Sequence, residues 1–99
     1  MIDKKSLKKL DKQVFKDVIL FDMNNPAGRI IGRNVRINVL INNEVVILDN
    51  SGNEMLRKPS SSLMLYYHQG WGGINLVVRD ETDNYSLTLH YINHVKTDS

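Results

Sequence analysis

The sequence predicts a small α+β domain, in which an antiparallel sheet of four to six strands, open or curled into a small barrel, follows an N-terminal amphipathic helix. Two observations predict it. Apolar side chains recur at every second position over residues 35–41 and 85–91, which is typical of strands that bury one face. Near the N-terminus, apolar side chains instead recur at intervals of three and four, the spacing of a helix.

The 99 residues are the size of one domain, and no repeat or linker-like stretch divides them. We expect a basic amphipathic helix over 1–16, a sheet body over 18–95 and a frayed tail at 96–99. The chain has no cysteine, which excludes a disulfide framework and thiolate metal sites. It has no apolar stretch of membrane-spanning length and no secretory signal, so we expect a cytoplasmic protein that does not contact membranes.

The predicted helix is strongly basic. Leu7, Leu10 and Val14 share one face, and either Asp3 or Ser6 is a suitable N-cap. The first sixteen residues hold six lysines and two aspartates, a net charge of +4, whereas the remaining residues sum to −2. We place the end of this helix at about residue 16 and the first strand at about 18–23.

Turn-forming residues separate the later strands. Gly32 predicts a bulge within a long strand, and Asn42–Asn43 predicts a hairpin turn. A short hairpin loop at 80–84 joins the last two strands, of which the segment 85–91 is expected to be internal. The strands after the first are predicted at about 29–41, 44–48, 54–57, 74–79 and 85–93.

Residues 60–69 fit two structures. Pro59 followed by three serines is a good helix start, and Gly70 is a good helix stop. Against this, Leu63, Leu65 and Tyr67 alternate as in a strand, and tyrosine favours strands. We predict a second short helix near 60–69.

No pattern in the chain predicts catalysis, a cofactor or a metal. His90 and His94 would lie about 13 Å apart in a strand, too far to share one ion. The serines at 60–62 lack the surroundings of a nucleophile elbow. Asp80, Glu81 and Asp83 lack the spacing of a calcium loop and are interpreted as a solvated turn. We therefore expect no enzyme, no cofactor and no metal site.

Aromatic and basic residues supply the candidate contacts. Trp71 lies between glycines, a few residues after Tyr66 and Tyr67, and loop tryptophans often anchor interfaces. Arginine carries a rigid fork of donors suited to carboxylates and phosphates. With a bulge at Gly32, two or three arginines of one strand are predicted to share the face opposite the core, namely Arg29, Arg33 and Arg36.

These features favour a small non-catalytic protein-binding module of the inhibitor or immunity type, and they also accommodate a homo-oligomer. The richness in Lys, Asn and Ile is typical of AT-rich coding, as in many phage and mobile-element proteins and also in many bacterial housekeeping domains. The partner-binding residues would be Trp71, Tyr66, Tyr67 and the three arginines. The alternative is a nucleic-acid-binding protein that uses Lys5, Lys8, Lys9, Lys12, Arg33 and Arg36.

Overall fold

The computed structural model describes residues 2–68 and 72–92, and within them it confirms a small α+β fold. One α-helix, α1 (Lys4–Leu10), precedes seven antiparallel strands, more than the four to six predicted. The strands form one sheet in the order β4-β3-β2-β1-β7-β6-β5, so β4 and β5 are the two edges. They are β1 (Val14–Phe21), β2 (Arg29–Val39), β3 (Glu44–Leu48), β4 (Glu54–Pro59), β5 (Leu63–His68), β6 (Gly73–Arg79) and β7 (Asn84–Tyr91).

The sheet is open in its hydrogen-bonded order but curled in space. On one side of β1 lies a first wing, β2 to β4, and on the other a second wing, β5 to β7. The inner faces of both wings contribute to a single buried cluster, for example through Ile37 and Leu76. Only a three-residue 3₁₀ turn, Ser60–Ser62, joins β4 to β5 at the opposite edge. The curl therefore brings the end of β4 close to the start of β5.

Register shifts on both sides of the central strand β1 allow this curl. The register between β1 and β2 shifts at Val18 and Ile19, which pair with Gly32 and Ile30 and leave Ile31 as the extra residue. A second shift occurs between β1 and β7. Because a bulge bends its strand and increases the local twist, the two shifts curve the middle of the sheet. The bulge predicted from Gly32 is confirmed.

The N-terminal helix is confirmed as amphipathic, but it is shorter than predicted. Asp3 is its N-cap and accepts a 2.8 Å hydrogen bond from the Ser6 N–H, which lowers the pKa of the Asp3 carboxyl. Leu7 and Leu10 are buried, and the helix ends at Leu10 rather than at residue 16.

Contacts with β2 explain why the helix ends early. Lys12 adopts a left-handed conformation with φ of 67°, and its N–H donates to the Ile37 carbonyl at 2.7 Å. One residue earlier, the Asp11 carboxylate accepts a 2.7 Å hydrogen bond from the Val39 N–H. From Val14 the chain pairs with β2, and from Phe15 it also pairs with β7. The backbone N–H and C=O groups of β1 therefore have hydrogen-bond partners on both sides.

The prediction of a second helix near 60–69 is wrong. After the 3₁₀ turn the chain runs as β5 and pairs with β6 without a register shift. Leu63 is fully buried, whereas Met64 is exposed, as the alternation of Leu63, Leu65 and Tyr67 requires in a strand. Pairing with the buried strand β6 outweighs the local helix signals, because it provides both backbone hydrogen bonds and burial.

The hairpin predictions around the second wing are confirmed. The turn after Arg79 joins β6 to β7, and β7 lies between β1 and β6. Leu87 and Leu89 are buried on its inner face. The predicted tail at 96–99 lies outside the described residues. Among the residues described, no helix has the length and apolar character needed to cross a bilayer.

Candidate functional site

The β5 edge is defined here as the backbone side of β5 that pairs with no other described strand, together with Met64, Tyr66 and Tyr67. It is the less protected of the two edges of the described sheet. The strand contains no Asp, Glu, Lys, Arg or Pro. Met64, Tyr66 and Tyr67 are 40%, 46% and 52% exposed. A regular edge strand of this kind offers free N–H and C=O groups to another extended chain.

The opposite edge, β4, carries the protection that β5 lacks. Arg57 donates hydrogen bonds to the carboxylates of Glu54 and Glu44, which raises the pKa of its guanidinium above the usual range. The strand ends in Pro59, and its pairing with β3 is interrupted by a register shift. Charges, proline and bulges all oppose strand addition. Of the two edges, β5 is therefore the one suited to pairing.

The two tyrosines of the β5 edge point to different sides of the sheet. Tyr67 lies opposite the buried Ile74 and so belongs to the inner face. Tyr66 lies opposite Asn75 on the outer face, where its hydroxyl is 3.7 Å from the Met64 sulfur. The predicted third aromatic contact, Trp71, lies outside the described residues. An extended partner on this edge would therefore meet an aromatic ring on each face.

A cleft of about 370 Å³ opens between the two wings. Its apolar lining includes Val18, Leu20 and Leu87, and Arg29, Asp22, Asp83 and Tyr85 contribute its polar groups. Burial and the nearby Asp83 raise the pKa of the Tyr85 hydroxyl. The cleft is of ordinary ligand-pocket size.

Two of the three predicted arginines, Arg33 and Arg36, share the outer face, which is within the two or three predicted, whereas Arg29 does not. Arg29 pairs across from Leu20 and lines the cleft on the inner side. Arg33 and Arg36 pair across from Asp17 and Val14 on the outer side. The extra residue of the bulge lies between Arg29 and Arg33 and reverses the alternation, so these two point to opposite sides. Asn34, which is left-handed with φ of 55°, interrupts the alternation again between Arg33 and Arg36.

The basic surface is the name used here for six exposed cations of the N-terminal segment and of β2. It consists of exposed residues of α1, of the turn after it and of the outer side of β2, namely Lys5, Lys8, Lys9, Lys12, Arg33 and Arg36. In the part of the chain that the structure describes, none of these cations forms an ion pair. All six residues that the sequence assigned to a nucleic-acid partner are therefore accessible at the surface.

The sequence did not predict a partly buried ion cluster between Lys58 and two aspartates. The Lys58 ammonium lies 2.6 Å from Asp80 Oδ2 and 2.7 Å from Asp83 Oδ2. Asp80 also accepts hydrogen bonds from the N–H groups of Thr82 and Asp83, which shape the β6–β7 turn. The lysine and these N–H donors hold the pKa of Asp80 far below its usual range. The two carboxylates in turn raise the pKa of Lys58 above its usual range.

This cluster joins the first wing to the second, because Lys58 belongs to β4 and the carboxylates belong to the β6–β7 turn. The predicted hairpin is present, but two of its acids contact a lysine instead of water alone. No local pattern could have revealed a pair separated by 22 residues.

Replacing Lys58 by methionine should destabilise the protein near neutral pH, with an effect that shrinks at both pH extremes. The lowered pKa of Asp80 gives stability above its unfolded value of about 3.9, which is lost as pH falls further. The raised pKa of Lys58 gives stability below its unfolded value of about 10.4, which is lost as pH rises. Thermal melts of both proteins across this range measure the difference.

Arg79→Met is the matched control, because Arg79 is exposed and has no ion pair among the described residues. Its melting temperature should follow that of the wild type at every pH. A Lys58→Met difference that is independent of pH would contradict the ion-pair interpretation.

A histidine–aspartate pair links β7 to β1 on the outer face. His90 Nδ1 lies 2.6 Å from Asp17 Oδ1, and both side chains are partly buried. A carboxylate in this position fixes the orientation of the imidazole ring. Among the described residues, no group of three or more His, Cys, Asp or Glu side chains could hold a metal ion. The expectation that the protein is no enzyme stays a prediction.

Comparison of the chain with protein-family models, with curated proteins and with solved structures found no match. The β5 edge and the basic surface are the two features of the described chain that suggest a function.

Proposed function

We propose that the protein is a non-catalytic protein-binding module that accepts an extended segment at the β5 edge. The observation that carries this proposal is the contrast between β5, which is uncharged and exposed, and β4, which is charged and ends in proline. In strand addition, main-chain hydrogen bonds supply affinity and alternating side chains supply specificity.

The side chains of the β5 edge support this mode of binding. Tyrosine gives a large contact area at low entropic cost and is enriched among residues that dominate interface energies. Tyr66 and Tyr67 would contact the added strand from opposite faces of the sheet. A module of the inhibitor type would act by occupying the extended segment of its partner and so blocking the partner's own contacts.

Tyr66→Lys should weaken partner binding by about 2 kcal/mol or more, because it removes a central aromatic contact and places a charge in the interface. The test is retention of protein from a host lysate on the immobilised full chain after nuclease treatment. The matched control is Ile41→Lys, since Ile41 is 104% exposed in the turn between β2 and β3 and is not part of β5. Equal retention by both variants would contradict strand addition at β5.

The basic surface supports a second candidate, a nucleic-acid-binding protein. Its six cations lack ion pairs in the described part of the chain, so their charge is available to an anionic polymer. The same retention experiment separates the two candidates. Nucleic-acid binding is favoured if nuclease removes the retained material and the Tyr66→Lys variant still retains it. Its affinity for the immobilised chain should also fall steeply as the salt concentration rises.

A further inference from the structure

We propose that the strand added at the β5 edge is β5 of a second copy of this chain, so that the protein forms a two-fold symmetric dimer through one continuous sheet. This inference rests on the proposed function, because it names the segment that the β5 edge accepts. It commits to an antiparallel pair, the arrangement that a two-fold axis perpendicular to the sheet produces.

The β5 sequence is compatible with itself in that arrangement. The strand carries no Asp, Glu, Lys or Arg, so no like charges meet across the axis. With the axis at Leu65, Met64 lies opposite Tyr66 of the second copy and Leu63 lies opposite Tyr67 of the second copy. Inner faces stay on one side of the joint sheet, as residue alternation requires.

The exposed side chains suit these cross-strand neighbours. Met64 and Tyr66 already contact each other within one chain through the hydroxyl and the sulfur. In the dimer, Met64 of each copy would also lie beside Tyr66 of the other copy. Contacts between a sulfur and an aromatic ring are favourable. The pairing would cover Met64, Tyr66 and Tyr67, which are among the exposed large apolar side chains of the described chain.

The asymmetry between the two edges limits the assembly to two chains. If both edges could pair, copies would add to one another without end. Here β4 is blunted by Glu54, Arg57, Lys58 and Pro59, whereas β5 has no such protection. Pairing β5 with β5 consumes the unprotected edge of each copy and leaves two protected β4 edges outside. A closed dimer therefore removes the aggregation hazard that an exposed β5 would otherwise create.

The experiment is sedimentation equilibrium of the full chain over a wide concentration range. The wild type should sediment at twice the 11.4 kDa of one chain. Tyr66→Lys should raise the dimer dissociation constant at least tenfold, whereas Ile41→Lys, with the same added charge, should leave it unchanged. The double variant Met64→Glu, Tyr66→Lys places opposite charges across the axis and should bring the dissociation constant below that of Tyr66→Lys.

Near-ultraviolet circular dichroism of each variant verifies its fold, and Tyr66 is exposed enough to be replaced without disturbing the core. A wild type that stays monomeric throughout, or a dimer that Tyr66→Lys does not weaken, overturns the proposal. If the dissociation constant of the double variant is not lower than that of Tyr66→Lys, the register about Leu65 is overturned. If the wild type is monomeric while Tyr66→Lys still abolishes retention of a lysate protein, the dimer fails and the proposed function stands.

Discussion

Replacing Phe15 by alanine should lower the free energy of unfolding by about 3–5 kcal/mol, a large share of the stability of a domain this size. Phe15 is fully buried in β1, the central strand, between Val35 on β2 and Tyr91 on β7. Its ring stacks on Tyr91, with centroids 5.6 Å apart and planes inclined by 21°. Truncation removes this contact and leaves a cavity where the two wings meet.

Denaturant unfolding of wild type and variant measures the difference as a shift of midpoint at constant slope. Phe21→Ala is the matched control, because Phe21 lies on the same strand, is partly exposed and is not part of the buried cluster. Its loss of stability should be clearly smaller. Equal losses for the two phenylalanines would contradict the placement of the core around Phe15.

Leu89→Ala should cost about 2–5 kcal/mol of unfolding free energy. Leu89 is fully buried in β7 and lies between Val18 of β1 and Ile74 of β6, which are themselves fully buried. Strands surround this position on both sides, so the cavity left by truncation cannot easily collapse.

Ile41→Ala is the control for Leu89→Ala, because it removes a side chain of the same size from a fully exposed turn. Its effect should stay within about 0.5 kcal/mol of zero. A Leu89→Ala protein whose unfolding midpoint equals that of the wild type would contradict the register of β7 between β1 and β6.

Most of the strands could be predicted because their pattern is local. Ile74, Leu76 and Val78 alternate with less buried residues, and the structure buries all three on one face. The same is true of Leu87 and Leu89 in β7. The bulge near Gly32 was predictable for a similar reason, since a glycine inside an alternating run signals a break in pairing.

The errors lie where local signals conflicted with distant contacts. Val14 continues the helical spacing of Leu7 and Leu10, yet it belongs to β1 because β2 pairs with it. The serines before Leu63 favour a helix start, but the residues after them form a strand because they pair with β6. Pairing partners that are far along the chain leave no mark on the segment itself.

The candidate site shows the same division. The sequence singled out Tyr66 and Tyr67 as aromatic contacts, and both are exposed. It did not show that they lie on an edge strand, because edge position follows from the order of the whole sheet. It grouped Arg29 with Arg33 and Arg36, but the bulge at Ile31 moved Arg29 to the cleft.

By itself, the sequence determined that this chain forms an amphipathic N-terminal helix and an antiparallel sheet with one buried face. Side-chain periodicity and capping act within a few residues, and they can be identified without knowing the fold. Only the tertiary structure decided the order of the strands, the curl of the sheet, the contact of Lys58 with two distant aspartates and the exposure of β5. These features arise from hydrogen bonds and ion pairs between residues far apart in the chain, whose energies depend on which strands become neighbours.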